Sequence, residues 1–245
     1  MRFKEILAES RMQDIPLDHL RRILPEYSQA LAAEPIWRGL DHPDDPFTCK
    51  IAAPSQYERA AANTNNHSNM VVSNSPLWAN YPKRNKAFIC ASDYDYASAY
   101  GSVYRILPRN NTLLGVCSAI DFWDSFSYML KFNISFIELN EALGGMDRGR
   151  LTDTNYAGFK QQLDAMAPEK FDLDEQTDHL YQTSLKLGLS VSETLEKLLD
   201  PKANNIRTQN ISAFNYPGRE VWFVGECLVV HPEYMEELQG MLNAG

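Results

Sequence analysis

No two cysteines of this sequence are spaced as C-x-x-C, and its histidines do not stand at metal-ligand spacing. Cys49, Cys90, Cys117 and Cys227 are scattered along the chain. That pattern excludes a recognisable zinc motif, argues against a disulfide framework and suits a reducing compartment. Absent too is any apolar run near the ~18 residues that a membrane helix requires. The stretch Met1-Arg2-Phe3-Lys4-Glu5-Ile6-Leu7 alternates charge with apolar residues, where a signal peptide carries a continuous apolar core. The expectation is a soluble protein without a membrane partner, cytoplasmic or delivered into a target cell by other means. Positive charge is scarce as well. A formal net charge of −9 gives no global footprint for nucleic acid, and Lys83-Arg84-Asn85-Lys86 is the only short basic run.

What the sequence does have is length and apolar mass. With 245 residues, 44% of them hydrophobic and 11% aromatic, the chain can bury a sizeable core and reads as globular. Leu17, Leu20, Ile23, Leu24, Tyr27 and Leu31 follow helical spacing with a break at Pro25. Ile36-Trp37-Arg38-Gly39 reads as a short strand, Asp41 to Pro46 as a loop, and Ser55 with Glu58 as the capping box of a short helix. The Asn-, Ser- and Pro-rich stretch Asn63 to Asn85 reads as a long loop, of the kind that is usually functional. Strands follow at Ala87 to Ser92, Ser102 to Leu107 and Leu113 to Ala119, with a short helix ending at Gly101 between the first two.

Between Asp121 and Asp200 the pattern turns helical. Amphipathic stretches cover Phe122 to Phe132, Ser135 to Leu143, Asn155 to Met166, Asp174 to Leu187 and Ser192 to Leu199. Asn204 to Gly218 reads as loop with Phe214 and Tyr216 exposed, Val221 to Val230 as strand, and Pro232 to Leu242 as helix. The sum is α+β: a single domain over 1–245, with a split, mixed sheet and a helical insertion over about 121–201.

Three segments carry candidate chemistry. An arginine followed by glycine at a strand end, Arg38-Gly39, offers a guanidinium fork where a ligand can approach the backbone; its bland alternative is an ion pair with a nearby acid. Ser92, closing Cys90-Ala91-Ser92, is a candidate polar contact or simply a turn residue. Glu220 opens the apolar run Val221-Trp222-Phe223-Val224. Strands deplete acids, so an acid there has a task or lies on an exposed edge.

Taken together, these segments resemble the Arg–Ser–Glu class of mono-ADP-ribosyltransferases, the fold of the clostridial exoenzyme toxins. Ile36-Trp37-Arg38-Gly39 resembles its first NAD-binding strand. Phe88-Ile89-Cys90-Ala91-Ser92, with the helix through Ala97 to Tyr100-Gly101, resembles its aromatic-x-Ser-Thr-Ser strand and helix. Val103 to Pro108 is similar to the strand that follows, and Arg219-Glu220-Val221-Trp222-Phe223 to the catalytic-glutamate strand. Two departures stand out. Ser-Thr-Ser is replaced by Cys90-Ala91-Ser92, or by Ala91-Ser92-Asp93 in a shifted register. Gly218 stands where many members carry Glu or Gln.

The resemblance implies a split mixed sheet, NAD as substrate, and ADP-ribose transfer to a macromolecular acceptor, protein first, with nucleic acid left open. Glu220 would be catalytic, stabilising an oxocarbenium-like transition state. Arg38, Gly39, Ala91 and Ser92 would hold NAD, and Phe214, Tyr216 and Gly218 would face the acceptor. Two rivals stand beside it. One is a cysteine hydrolase with Cys90 as nucleophile and His67 or His179 as base. The other is a binding or structural protein that kept such a fold and lost its chemistry.

Overall fold

The computed structural model describes residues 10–40, 48–54, 67–146, 151–170 and 173–244. The expected Ser55 helix, the Asp41 to Pro46 loop and the Met1 to Leu7 stretch lie outside them. The chain divides into two compact units: Met1–Arg59 with Tyr81–Asp121 and Arg207–Gly245, and Ala60–Asn80 with Phe122–Ile206. The helical stretch expected over 121–201 belongs to the second unit, which also takes in Ala60–Asn80.

The first unit is built on one open sheet. Its strands are β1 (Ser10–Asp14), β2 (Trp37–Leu40), β3 (Cys49–Pro54), β4 (Phe88–Ala91), β5 (Ser102–Pro108), β6 (Leu113–Val116), β7 (Arg207–Asn210), β8 (Glu220–Phe223) and β9 (Cys227–Val230). They lie in the order β1-β3-β9-β5-β2-β4-β8-β6-β7. The expected mixed sheet is corrected here: every pairing among the described strands is antiparallel.

Burial explains the order. Every residue of β8 and of β9 is buried, and each sits between two neighbours, as continuous apolar strands do. The outermost strands β1 and β7 are polar, Ser-Arg-Met-Gln-Asp and Arg-Thr-Gln-Asn, a composition that blunts an exposed edge. That polarity also hid them from a reading based on apolar alternation, as did the short Cys-Lys-Ile-Ala-Ala-Pro of β3. Phe223 stacks on Phe88 at 5.4 Å between ring centres, inside a core that also holds Tyr27, Tyr104, Val221 and Cys227. The helices Leu17–Ile23 and Ser28–Ala32 flank a 3-10 turn at Leu24–Tyr27, where Pro25 breaks the pattern.

β2 is held unequally on its two sides. Against β5 all four of its residues are in register, Trp37↔Arg105 through Leu40↔Ser102. Against β4 a single pair, Trp37↔Ala91, is in register. The sheet therefore parts between β2 and β4 immediately beyond Trp37.

The second unit is helical: His67–Asn74, Phe136–Met146, Tyr156–Asp164, Glu175–Leu187 and Val191–Leu198. Asp174 caps one helix by accepting from Gln176 N at 2.8 Å, and Ser190 with Glu193 forms a capping box on the next. Trp78, Phe122, Phe126 and Phe136 cluster at its centre, Phe126 stacked on Phe136 at 4.5 Å. Two expectations are corrected. Phe122 to Phe132 forms two 3-10 stretches, Trp123–Ser125 and Ser127–Phe132, because Phe126 between them leaves helical geometry at φ −95, ψ 42. The described part of the expected loop Asn63 to Asn85 is largely ordered into the His67–Asn74 helix and two 3-10 turns. Two of its polar side chains bond within the protein: Ser68 Oγ donates to Asn140 Oδ1 at 2.7 Å, and Ser75 Oγ accepts from Leu77 N.

Candidate active site

Arg38, Ser92 and Glu220 come from segments far apart in the chain, and the fold sets their strands side by side. β2 neighbours β4, and β4 neighbours β8. In register, Arg105, Trp37, Ala91 and Glu220 form one continuous row across β5, β2, β4 and β8. Side chains in such a row share a face of the sheet. Contacts agree: the Arg105 guanidinium lies over Trp37 at 5.4 Å, and Trp37 packs with Ala91, Ala97, Val103 and Tyr96. Burial lowers the pKa of Arg105 to about 10.

Arg38 stands one residue along from Trp37 and therefore belongs to the opposite face from Glu220. Its Nη1 donates to the Ile89 carbonyl at 2.9 Å, bridging the parted strands where a ladder bond would otherwise run. Gly39 is also read differently in the structure. The space a side chain would take there is filled by the Ala97 carbonyl and Tyr100 at the end of the Tyr94–Ser98 helix, so this glycine admits the protein's own helix. Beside it Tyr96 Oη donates to Asp121 Oδ2 at 2.5 Å, and burial with that bond pushes the phenol's pKa far up.

Ser92 works as a clamp. Its Oγ donates to the Tyr216 carbonyl at 2.7 Å and accepts from Arg219 N at 2.9 Å, while its own N–H donates to the Arg219 carbonyl at 2.8 Å. These bonds fix the turn that leads into Glu220. Gly218 lies inside that turn at φ +66, in the left-handed region, with open space around it. A Glu or Gln at 218 would be strained by its backbone, not by crowding. Phe214, expected to be exposed, is 2% exposed and belongs to the core. Tyr216 is half-buried, with the Arg207 guanidinium 5.2 Å from its ring.

Glu220 itself is 6% exposed. Arg84 Nη1 donates to its Oε1 at 2.5 Å, and Arg84 is also 6% exposed. The same guanidinium lies over the Trp222 ring at 5.5 Å. Glu220 and Trp222 are two residues apart on β8 and so share a face, which lets one arginine meet both. The indole is seated by Gly115 of β6, whose missing side chain leaves room for it, and its Nε1 donates to the Pro82 carbonyl at 2.9 Å. The basic run 83–86 is thereby corrected. Lys83 and Lys86 are exposed, but Arg84 and Asn85 are buried, so the run presents no continuous cationic surface. Sequence reasoning missed Arg84 as a partner of Glu220. A buried acid requires a cation, but 136 residues separate the two.

For the cysteine alternative, Cys90 is buried in β4, while His67 and His179 belong to the other unit. All four cysteines are free thiols. Among the described residues no helix is long and apolar enough to cross a membrane. No family model, curated protein or solved structure matches the chain.

Proposed function

We propose that the chain is an NAD-dependent mono-ADP-ribosyltransferase with Glu220 as its catalytic carboxylate. One observation carries this reading. The strand bearing Arg38, the strand that Ser92 follows and the strand opened by Glu220 are adjacent in that order, and the ladder between the first two stops beside Arg38. A dinucleotide lying in the parting between β2 and β4 would reach side chains of either face, Arg38 from one and Glu220 from the other. This enzyme class implies a split sheet core, and the single-pair ladder between β2 and β4 supports that reading.

In this reading the bond between ribose C1′ and the nicotinamide nitrogen breaks, and nicotinamide leaves with the bonding pair. Positive charge develops on the ribose, and the fixed Glu220 carboxylate stabilises it more than the ground state. An acceptor nucleophile then bonds C1′ and gives up its proton. The acceptor is a macromolecule, protein in the first instance, and the half-buried Tyr216 of this turn is the aromatic that would meet it. Ser92 acts through the Tyr216 to Arg219 backbone, and Ala91 lines the face beside Glu220.

The test is release of nicotinamide from NAD, with labelled NAD and a cell lysate to identify modified species by mass spectrometry. Glu220→Gln keeps the shape of the side chain and removes its charge, and is expected to abolish cleavage. Equal rates from wild type and Glu220→Gln would overturn the assignment. A second reading, a non-catalytic protein on the same fold, is favoured by the Arg84 guanidinium that neutralises Glu220. Binding of NAD in a calorimeter without turnover would select it.

A further inference from the structure

We propose that Arg84 is a positioning residue that holds the Glu220 carboxylate ionised and aimed at the sheet face it shares with Ala91 and Trp37. The proposal rests on the catalytic reading of Glu220 and extends it to a residue outside the three strands that carry it.

The geometry is that of a built support. Arg84 opens a short 3-10 turn, Arg84–Lys86, closed by Lys86 N to the Lys83 carbonyl at 3.0 Å and Ala87 N to the Arg84 carbonyl at 3.2 Å. Just ahead of it, the Pro82 carbonyl is held by the Trp222 indole. The guanidinium is then fixed by two side chains of one strand, Glu220 through a charge-assisted bond and Trp222 through its ring face. A carboxylate this deeply buried is driven toward its neutral form unless a cation compensates it. A neutral Glu220 would carry no charge with which to stabilise a ribosyl cation.

The neighbouring segments contribute the following contacts. β4 presents Ala91, and from the β6 side the Cys117 amide donates to the Glu220 carbonyl. Arg219 donates to the Ser118 carbonyl. Asp93, which caps the Tyr94–Ser98 helix, accepts from Tyr96 N, and Asp121 beyond β6 accepts from Tyr96 Oη.

The experiment has two readouts. Carboxylate carbon NMR of the labelled protein, with Glu220→Gln to assign the resonance, follows the titration of Glu220. The pH profile of nicotinamide release follows its effect on the reaction. In Arg84→Gln the Glu220 titration is expected to move up by about one pH unit or more, and the acid limb of the activity profile to move with it. Arg84→Lys keeps the charge but loses the planar fork. It is expected to leave the titration where wild type has it while slowing cleavage about tenfold or more, and it serves where Arg84→Gln does not fold. An unmoved titration in Arg84→Gln, or wild-type cleavage in Arg84→Lys, would overturn the proposal. Should wild type not cleave NAD, the catalytic reading falls, and the NMR titration still decides whether Arg84 governs the ionisation of Glu220.

Discussion

Arg84 and Glu220 stand 136 residues apart in the chain and meet at 2.5 Å inside the protein, each 6% exposed. Two charges buried together are costly to separate. Removing one partner strands the other in a medium that solvates it poorly, at a cost of roughly 3–5 kcal/mol. Arg84→Met and Glu220→Met are each expected to destabilise by about that amount. The double variant is expected to recover much of the loss, since an apolar pair of similar volume has no charge to strand. Chemical denaturation of the three variants and wild type closes the cycle.

Gly115 and Trp222 interlock across β6 and β8, and the indole fills the place of a side chain at 115. Gly115→Val is expected to cost about 1–3 kcal/mol or more, because the displaced indole would also lose its hold on Pro82. Thermal unfolding reads the loss. The companion readout is Trp222 fluorescence, which should shift toward that of a solvated indole.

At Gly218 the obstacle is the backbone, with nothing near enough to crowd a side chain. Gly218→Gln is therefore expected to fold, with a penalty of about 1–2 kcal/mol from its positive φ. In a domain of this size each kcal/mol lowers Tm by roughly 2–4 °C. Unchanged Tm would show that the turn relaxes to accept the residue.

The thiols supply a pH dependence. Burial pushes Cys49 up to about 12 and Cys227 well above its ordinary value. The folded state therefore holds these protons more tightly than the unfolded chain, where a cysteine titrates near about 8.5. Below that pH the two states bind the same protons and stability is unaffected. Above it the unfolded chain releases protons first, so stability is expected to fall as pH rises toward 12. Urea midpoints from neutral pH to just below the tyrosine range at about pH 10 measure the slope, and serine at both positions should reduce it. Alkylation of native protein at pH 8 should likewise be slow at both thiols, since the thiolate is the reactive form.

The central strands were legible because their residues are apolar throughout. Val221-Trp222-Phe223 and Phe88 to Ala91 announce themselves, and Glu220 stands out against them. β1 and β7 were hidden because edge strands need not alternate apolar residues when their outer rows face solvent. The face on which each candidate lies depended on register, which a short strand states only once it is paired. Arg38 and Trp37 are adjacent in sequence, and one residue of register decides which of them shares the face of Glu220. Gly39 and Phe214 were misread for a related reason. A glycine admits a ligand or a helix equally well, and an aromatic in a loop-like stretch is as apt to anchor the loop as to display itself. Arg84 was visible as a charge, but its partner was not.

The strand order also sets a timetable for folding. β9 lies between β3 and β5, and β8 lies between β4 and β6. Among the described strands, the β1–β3 pair reaches the rest of the sheet through β9. The β6–β7 pair reaches it through β8. Both bridging strands are made after residues 122–206, later than the strands they join. At about 5–20 residues per second the earlier strands wait many seconds with unpaired edges before their partners emerge. Pairings over such sequence distances are slow to form even then. A nascent chain that stops before Glu220 leaves β3, β4, β5 and β6 each without one neighbour, four open edges inviting pairing with other chains.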